Sequence, residues 1–405
     1  MLSVNTRRNN TIGYDQYGCR FCQKEDDMNE WNYFDGIPEY HPIADANNLY
    51  DAFYKSRKGS HWKAQVQRYR WDILGKTRKL QKELDNYQHH KLGGYELSPY
   101  SEFLVNERGK VRAITALTIR DRVVKHVLND NFLLPHINPY LIYDNGASLK
   151  DKGVSFTRRR LESHLRRFYQ KHGNNGYVLL MDFSGYYDNI DHRKAMEIIC
   201  KYEKDEFARR LVWQAYDSYK IDISNYKVDG KFNTVEYRHK NPIKSGQKYL
   251  HKSLSVGDQT SQITAVLYPT PIDNLVKILH GCKYYARYMD DLYILTTNKK
   301  RAQILKREIC KKARELNIYI NNKKTKIISL KHTFMFLQFK YKLLDNGFIL
   351  IRINPKTITR MKRKLKKLDR LGISTDNLIK SWLGSYRKYM SGRQVMKIAS
   401  CMVTS

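Results

Sequence analysis

Residues 284–296 read YYARYMDDLYILT, two short apolar runs with a pair of acids, Asp290 and Asp291, between them. Tyr, Ile and Leu in such runs favour strands. The spacing predicts a tight β-hairpin with the two acids at its tip. Upstream, YVLLMDF (177–183) is an apolar run of buried-strand type, and it too ends in an acid, Asp182. Acids at the ends of buried strands are unfavourable unless something compensates them, and three together repel one another in a low-dielectric site. Divalent cations remove that difficulty. Oxygen-only ligands suit Mg2+, which keeps water and substrate oxygens in its shell. Two such ions roughly 4 Å apart can activate a hydroxyl and stabilise a leaving pyrophosphate. Acid pairs also occupy ordinary turns, so the reading rests on what surrounds them.

The surroundings are basic. Of 405 residues, 74 are Lys or Arg and 40 are Asp or Glu, a formal charge of +34. Self-repulsion of that size has no use in an enzyme for small neutral metabolites, whereas a polyanion would neutralise it. The 31 tyrosines can stack on bases or fill a half-buried sheet. A hydrophobic content of 41% excludes global disorder. No run approaches the roughly 18 apolar residues of a membrane span, and MLSVNTRRNN is no signal peptide. Six cysteines without secretory context read as reduced thiols of a cytoplasmic protein. Cys19 and Cys22 form a C-x-x-C, but only His41 lies near, so two ordinary thiols fit better than zinc.

Along the chain, residues 1–45 are irregular. A basic helical pattern follows from Asn47 to Asn86, then a hairpin at 103–114 around Glu107-Arg108-Gly109, a helix from near Ile119 and a basic amphipathic helix at 154–171. After Gly176, strands and helices alternate. A helix at 299–316, a strand-like segment at 318–330 and the apolar run FMFLQFKYKLL (334–344) follow. A helical tail from Pro355 repeats Ile358, Met361, Leu365, Leu368 and Leu371 at 3- and 4-residue spacing. The pattern predicts an α+β fold.

Three segments in order carry a family resemblance. Tyr288-Met289-Asp290-Asp291 matches the Y-x-D-D box of reverse transcriptases, MDFSGYYDNIDH (181–192) resembles their first palm motif, and LSVGDQTSQ (254–262) resembles L-P-Q-G-x-P-x-S-P. The resemblance extends upstream to about Asn47 and implies a right-hand polymerase. Its expected parts are an extension (1–45), fingers (46–175), an antiparallel-sheet palm (176–345) and a small helical thumb (346–405). It also implies that Asp182, Asp290 and Asp291 hold two Mg2+ ions, for which Mn2+ can substitute, with the backbone carbonyl of Phe183 assisting. Tyr187, five after Asp182, matches the aromatic gate that excludes a 2′-hydroxyl, against a plain packed aromatic. Lys324 in NNKKTKI matches a lysine proposed to protonate pyrophosphate, against one more surface lysine. Lys110, Arg112 and Arg120 lie where finger residues clamp a triphosphate, with RNA-backbone contact as the alternative. Gly257, Gln259, Ser261 and Gln262 fall in the third motif and are expected at the nucleotide. FMFLQFKY resembles the primer grip.

In LSVGDQTSQ, Ser255, Val256, Gln259 and Gln262 replace the usual Pro, Gln, Pro and Pro. Group II intron and most retron enzymes keep Pro-Gln-Gly. The G-x-x-x-S-Q form looks like diversity-generating retroelement enzymes and related bacterial groups that include defence-associated ones. IYDNGASLKDKG (142–153) resembles their Y-A-S/C-R-K-G-K-G block, with Leu149 for Arg. About 60 residues follow the primer-grip segment, room for a short thumb but for neither an RNase H domain nor a Cys/His-rich endonuclease. The expectation is therefore an RNA-directed DNA polymerase that makes DNA from dNTPs on an RNA template, in antiphage defence with a dedicated noncoding RNA. The alternatives are a mutagenic enzyme of a diversity-generating retroelement and, from another class, a catalytically degenerate RNA-binding scaffold. An RNA-dependent RNA polymerase ranks below these, because Tyr187 would block ribonucleotides. No membrane partner is expected, and a homo- or hetero-oligomer stays open.

Overall fold

The computed structural model describes residues 40–107, 110–224 and 248–400. Cys19 and Cys22 lie outside the described residues, as do Arg108 and Gly109 of the expected turn. The chain forms two compact units, each discontinuous in sequence. One comprises the chain up to Ile142 with Ser184–Pro271 and Ala313–Tyr319; the other comprises Tyr143–Phe183, Ile272–Lys312 and the chain from Ile320 onward. Helices and antiparallel strands occur in both, the α+β class expected. No helix among the described residues is long and apolar enough to cross a membrane.

The second unit is built on the strand Tyr177–Ser184. Val178, Leu179, Leu180 and Met181 are all buried, so both faces of this strand are covered. That is why it is written as an unbroken apolar run and not as an alternation. It pairs antiparallel with Asp291–Thr296 on one side and with Lys326–Ser329 on the other. Tyr285–Tyr288 adds to the far edge of Asp291–Thr296. The helix Val154–His172 contributes Leu161, Leu165 and Phe168 to the same core as Val178, Tyr293 and Leu295. Its period-3/4 apolar stripe faces that core together with the buried Arg158, whose guanidinium lies 3.5 Å over the Phe339 ring, while Arg159, Arg166 and Arg167 are exposed.

A three-stranded sheet, Phe334–Phe336, Phe339–Leu343 and Ile349–Ile353, joins this core through Phe334, Phe336, Phe339 and Tyr341. The run 334–344, read from sequence as one apolar segment, is thus a hairpin. Its turn falls on Leu337 and Gln338, both at positive φ (43° and 70°). Two left-handed residues suit the twist of a two-residue hairpin, but neither residue type announces it. The tail differs too. Its first helix, Pro355–Asp369, buries Ile358, Met361 and Leu365, then stops before the expected Leu371, which is 61% exposed. Gly372 follows at φ 64°, the left-handed residue that commonly closes a helix. Helices Asp376–Tyr386 and Gly392–Ala399 complete the tail, and Ile379 and Ile398 join its core.

In the first unit, Ser101–Glu107 and Lys110–Ala116 pair in register from Ser101↔Ala116 to Glu107↔Lys110. Thr118 caps the helix Ile119–Val127 by accepting from the Asp121 N–H. The basic region before the hairpin resolves into three helices, Ala46–Ser56, Ala64–Trp71 and Ile73–Gln88.

Candidate active site

The register of the second unit's sheet places Asp182 directly opposite Asp291, with Asp290 at the adjoining turn. One carboxylate oxygen from each of the three lies within 4.8 Å of the others. The backbone holds them there: the Phe183 N–H donates to the Asp290 carbonyl (3.3 Å) and the Asn321 N–H to the Asp182 carbonyl (2.7 Å). Asp182 is 4% exposed. Burial, reinforced by the charges of their neighbours, pushes the Asp290 carboxyl up to about 6 and that of Asp291 to about 7. Three acids, one buried and two half-buried, are therefore crowded together.

Lys324 answers part of that charge. From the turn between Asn321 and Thr325, its Nζ donates to Asp182 Oδ2 at 2.6 Å. Partial burial pulls the ammonium down, but the bond to Asp182 and the field of all three acids carry it above its ordinary value. One lysine against three carboxylates leaves a negative excess. An oxygen-only set of this spacing fits a hard divalent cation such as Mg2+ or Mn2+, which would be held by Asp182, Asp290 and Asp291.

The residues expected at the nucleotide lie in the first unit. Gly257 sits at φ 123°, where a Cβ would come 2.6 Å from the Thr115 carbonyl oxygen. The Thr115 N–H donates to the Val256 carbonyl (3.0 Å), so the LSVGDQTSQ loop is laid against the strand Lys110–Ala116. Only glycine allows that approach. Asp258 then caps the helix Gln259–Leu267 by accepting from the N–H groups of Thr260 and Ser261. Ser261 is buried, its hydroxyl donating to Asp258 (3.3 Å), and Gln259 donates to Asp130 (2.9 Å). Ser261 therefore serves the cap, whereas Gln262 is exposed.

Arg112 stands exposed on the hairpin opposite Val105; Lys110 closes the same hairpin opposite Glu107. Arg120 is committed elsewhere. It pairs with Glu83 and with Asp121 (3.0 Å), donates to the Glu96 carbonyl (2.9 Å) and lies 4.6 Å over the Tyr95 ring. A triphosphate would have to displace those partners.

Tyr186 and Tyr187 start a helical turn, Tyr186–Asn189, not an extended stretch. Their rings diverge because successive helical residues step by about 100°. Tyr186 is buried and donates to the Ala265 carbonyl (2.6 Å); Tyr187 is half-buried.

The family model described as reverse transcriptase (RNA-dependent DNA polymerase) matches residues 103–341, more than half of the chain. The chain belongs to that family. No curated protein matches the sequence. Two solved structures of apo telomerase from Candida tropicalis are similar at 13% identity. The one truncated from its C-terminal domain has a TM-score of 0.43, over 62% of this chain and 54% of that one; the other has 0.45, over 63% and 48%. The chain thus spans about half the length of those telomerase chains. As a member of that family, the protein has the right-hand polymerase fold of α+β class.

In the unit of this reverse transcriptase that carries the three acids, sequence reasoning missed two charged groups, Arg287 and Asp273, which form a wholly buried ion pair (0% and 1% exposed). A signal was available: an arginine inside the apolar run YYARYMDD has to be paired.

Proposed function

We propose that this chain is an RNA-directed DNA polymerase, extending DNA from dNTPs on an RNA template. The observation that carries the reading is the convergence of Asp182, Asp290 and Asp291 around oxygens within 4.8 Å of each other, with Lys324 on Asp182. Bound divalent cations, two Mg2+ in the fullest version, supply activation of the primer 3′-hydroxyl and neutralisation of the leaving pyrophosphate. The 3′-hydroxyl gives up its proton to solvent, its oxygen attacks the α-phosphorus, and the bond to pyrophosphate breaks as the new phosphodiester forms. Lys324 offers a proton to that leaving group from a protonated ammonium, with Asp182 holding its Nζ. The half-buried Tyr187 walls off a 2′-hydroxyl, and Arg112 with Lys110 contacts phosphate. The backbone carbonyl of Phe183 would assist the three acids in holding the cations.

Charge supports an RNA partner. Beyond the net +34, helix Ala64–Trp71 carries Arg68 and Arg70 among the exposed Trp62 and Trp71. Arg68, Lys76, Lys79 and Arg120 line a cavity of about 390 Å³ walled by Tyr69 and Leu80. Cations interleaved with aromatics suit single-stranded nucleic acid.

The biological setting we propose is antiphage defence in the cytoplasm with a dedicated noncoding RNA as template. The departures in LSVGDQTSQ fit this setting, and they equally fit a diversity-generating retroelement. Sequencing nucleic acid that copurifies with the protein decides between these. A single structured RNA with its DNA copy supports the first; copies of a template repeat carrying base changes support the second. Primer extension on RNA with dNTPs and Mg2+ tests the activity itself, and no extension by a folded, RNA-bound protein would return the scaffold reading.

A further inference from the structure

The strand leading into the catalytic turn carries an arginine with no exposed surface. Arg287 grips Asp273 through Nε (3.0 and 3.2 Å) and Nη2 (2.7 Å), and the Tyr285 hydroxyl donates to the same carboxylate. Its Nη1 reaches the other way and donates to the backbone carbonyl of Met289 at 3.2 Å. Met289 is the second residue of YMDD and sits at φ 51°. That left-handed conformation is disfavoured for any residue with a Cβ and persists only where its surroundings enforce it. The next carbonyl, that of Asp290, accepts from the Phe183 N–H. Two successive peptide groups of the turn are thus tied, one by a side chain and one by the neighbouring strand.

Arg287 is itself immobilised. Its N–H donates to the Asp144 carbonyl (3.2 Å), and its own carbonyl accepts from the Gly146 N–H (2.9 Å). A buried ion pair is a poor stabiliser compared with apolar residues of the same volume, so stability alone gives no reason for one beneath this turn. Geometry does. A planar guanidinium can hold a carboxylate on one edge and still aim another N–H at a carbonyl, which a lysine's single ammonium cannot reproduce.

We propose that Arg287, braced by Asp273, is a positioning residue for the catalytic turn. It fixes the left-handed Met289 peptide so that the Asp290 and Asp291 carboxylates face Asp182 at cation-binding distance. The inference rests on the reading of the three acids as a divalent-cation site.

The test measures Mn2+ binding by the protein alone, by titration calorimetry or the loss of free-Mn2+ paramagnetic signal, beside single-nucleotide extension at saturating dNTP. Arg287→Lys keeps a positive charge against Asp273 and lets go of Met289. The triple variant Asp273→Leu/Tyr285→Phe/Arg287→Met removes the three side-chain partners together, so that no buried charge is left unpaired while the Met289 carbonyl loses the Arg287 donor. Both should retain wild-type RNA affinity and a cooperative thermal transition. Both should bind Mn2+ roughly 10- to 100-fold more weakly and extend more slowly by a similar factor, as expected when groups orienting metal ligands are lost. Wild-type Mn2+ affinity and extension rate in either folded variant would overturn the proposal. A wild-type protein that itself binds no Mn2+ would overturn the cation-site reading instead, a distinguishable failure.

Discussion

The hairpin that carries Asp290 and Asp291 and the helical tail belong to one compact unit, yet they handle charge in opposite ways. Around the hairpin, Asp273, Arg287, Asp182 and Asp144 are all buried, and each is met by a counter-ion: Arg287 by Asp273, Asp182 by Lys324, and Asp144 by Arg160 and Lys277 (2.9 Å). In the tail helix Pro355–Asp369, Lys356, Arg360, Arg363, Lys364, Lys366 and Lys367 are all exposed and of one sign, over a stripe of Ile358, Met361 and Leu365. The first arrangement fixes position, because a buried charge is tolerated only when its partner is in place. The second sets no position at all. Like charges on a solvated face contribute a field that draws a polyanion and is screened by salt. Position and field are thus assigned to different elements of the same unit.

The largest effect should come from the hairpin. Asp290→Asn or Asp182→Asn should reduce DNA synthesis to background in primer extension, with RNA affinity unchanged and a melting temperature equal to or above wild type. Removing one of three crowded charges relieves repulsion while removing a cation ligand. Measurable synthesis by either variant would break the assignment of geometry to these acids.

Next in size is the tyrosine pair. Tyr186→Ala empties a buried site and orphans the Ala265 carbonyl, so it should lower unfolding free energy by about 3–5 kcal/mol in denaturant titrations. Tyr187→Ala should disturb stability less and admit ribonucleotides in extension assays. An exchange of the two phenotypes would show that the gate is Tyr186.

A smaller effect concerns pH. Burial pushes His164 and His192 down to about 4, below the ordinary histidine range. His164 bonds the Tyr293 hydroxyl (2.9 Å), and His192 bonds the Ser253 carbonyl through Nε2 (2.6 Å). As pH falls, the unfolded chain takes up these protons first. Their contribution is therefore intact above about pH 6.5 and lost progressively toward pH 4. Melting temperature should decline over that window, and His164→Gln with His192→Gln should flatten the decline; an unchanged slope in the double variant would refute it.

The smallest structural effect belongs to the tail. Arg363→Gln/Lys366→Gln/Lys367→Gln should leave stability within about 0.5 kcal/mol. It should also reduce the slope of log affinity for RNA against log salt by roughly 0.7–0.9 for each phosphate that is no longer neutralised. An unchanged slope would mean that the field of this helix serves something other than nucleic acid.

Much of the site was legible because it is locally encoded. An apolar run ending in Asp182 and a hairpin with Asp290 and Asp291 at its turn need only strand propensity to be recognised, and the charge of +34 needs only counting. The short loop LSVGDQTSQ likewise announces its glycine, although the reason for it, the Thr115 carbonyl oxygen 2.6 Å from a Cβ, comes from a strand far away in sequence. The turn at Leu337 and Gln338 was not legible, because tertiary pairing of Phe334–Phe336 with Phe339–Leu343 imposes left-handed backbone on residues that carry no preference for it. Nor was the commitment of Arg120 to Glu83, 37 residues earlier.

By itself, then, the sequence determined which residues carry charge, which runs bury both faces and which acids end them, since these depend on side-chain chemistry and a period of two or 3.6. Only the tertiary structure decided that Asp182 stands opposite Asp291, that Lys324 reaches Asp182, and that Arg287 divides its guanidinium between Asp273 and the Met289 carbonyl. Those pairings join residues with no local preference for one another, and they exist because a buried charge must find whatever partner the closed chain brings within reach.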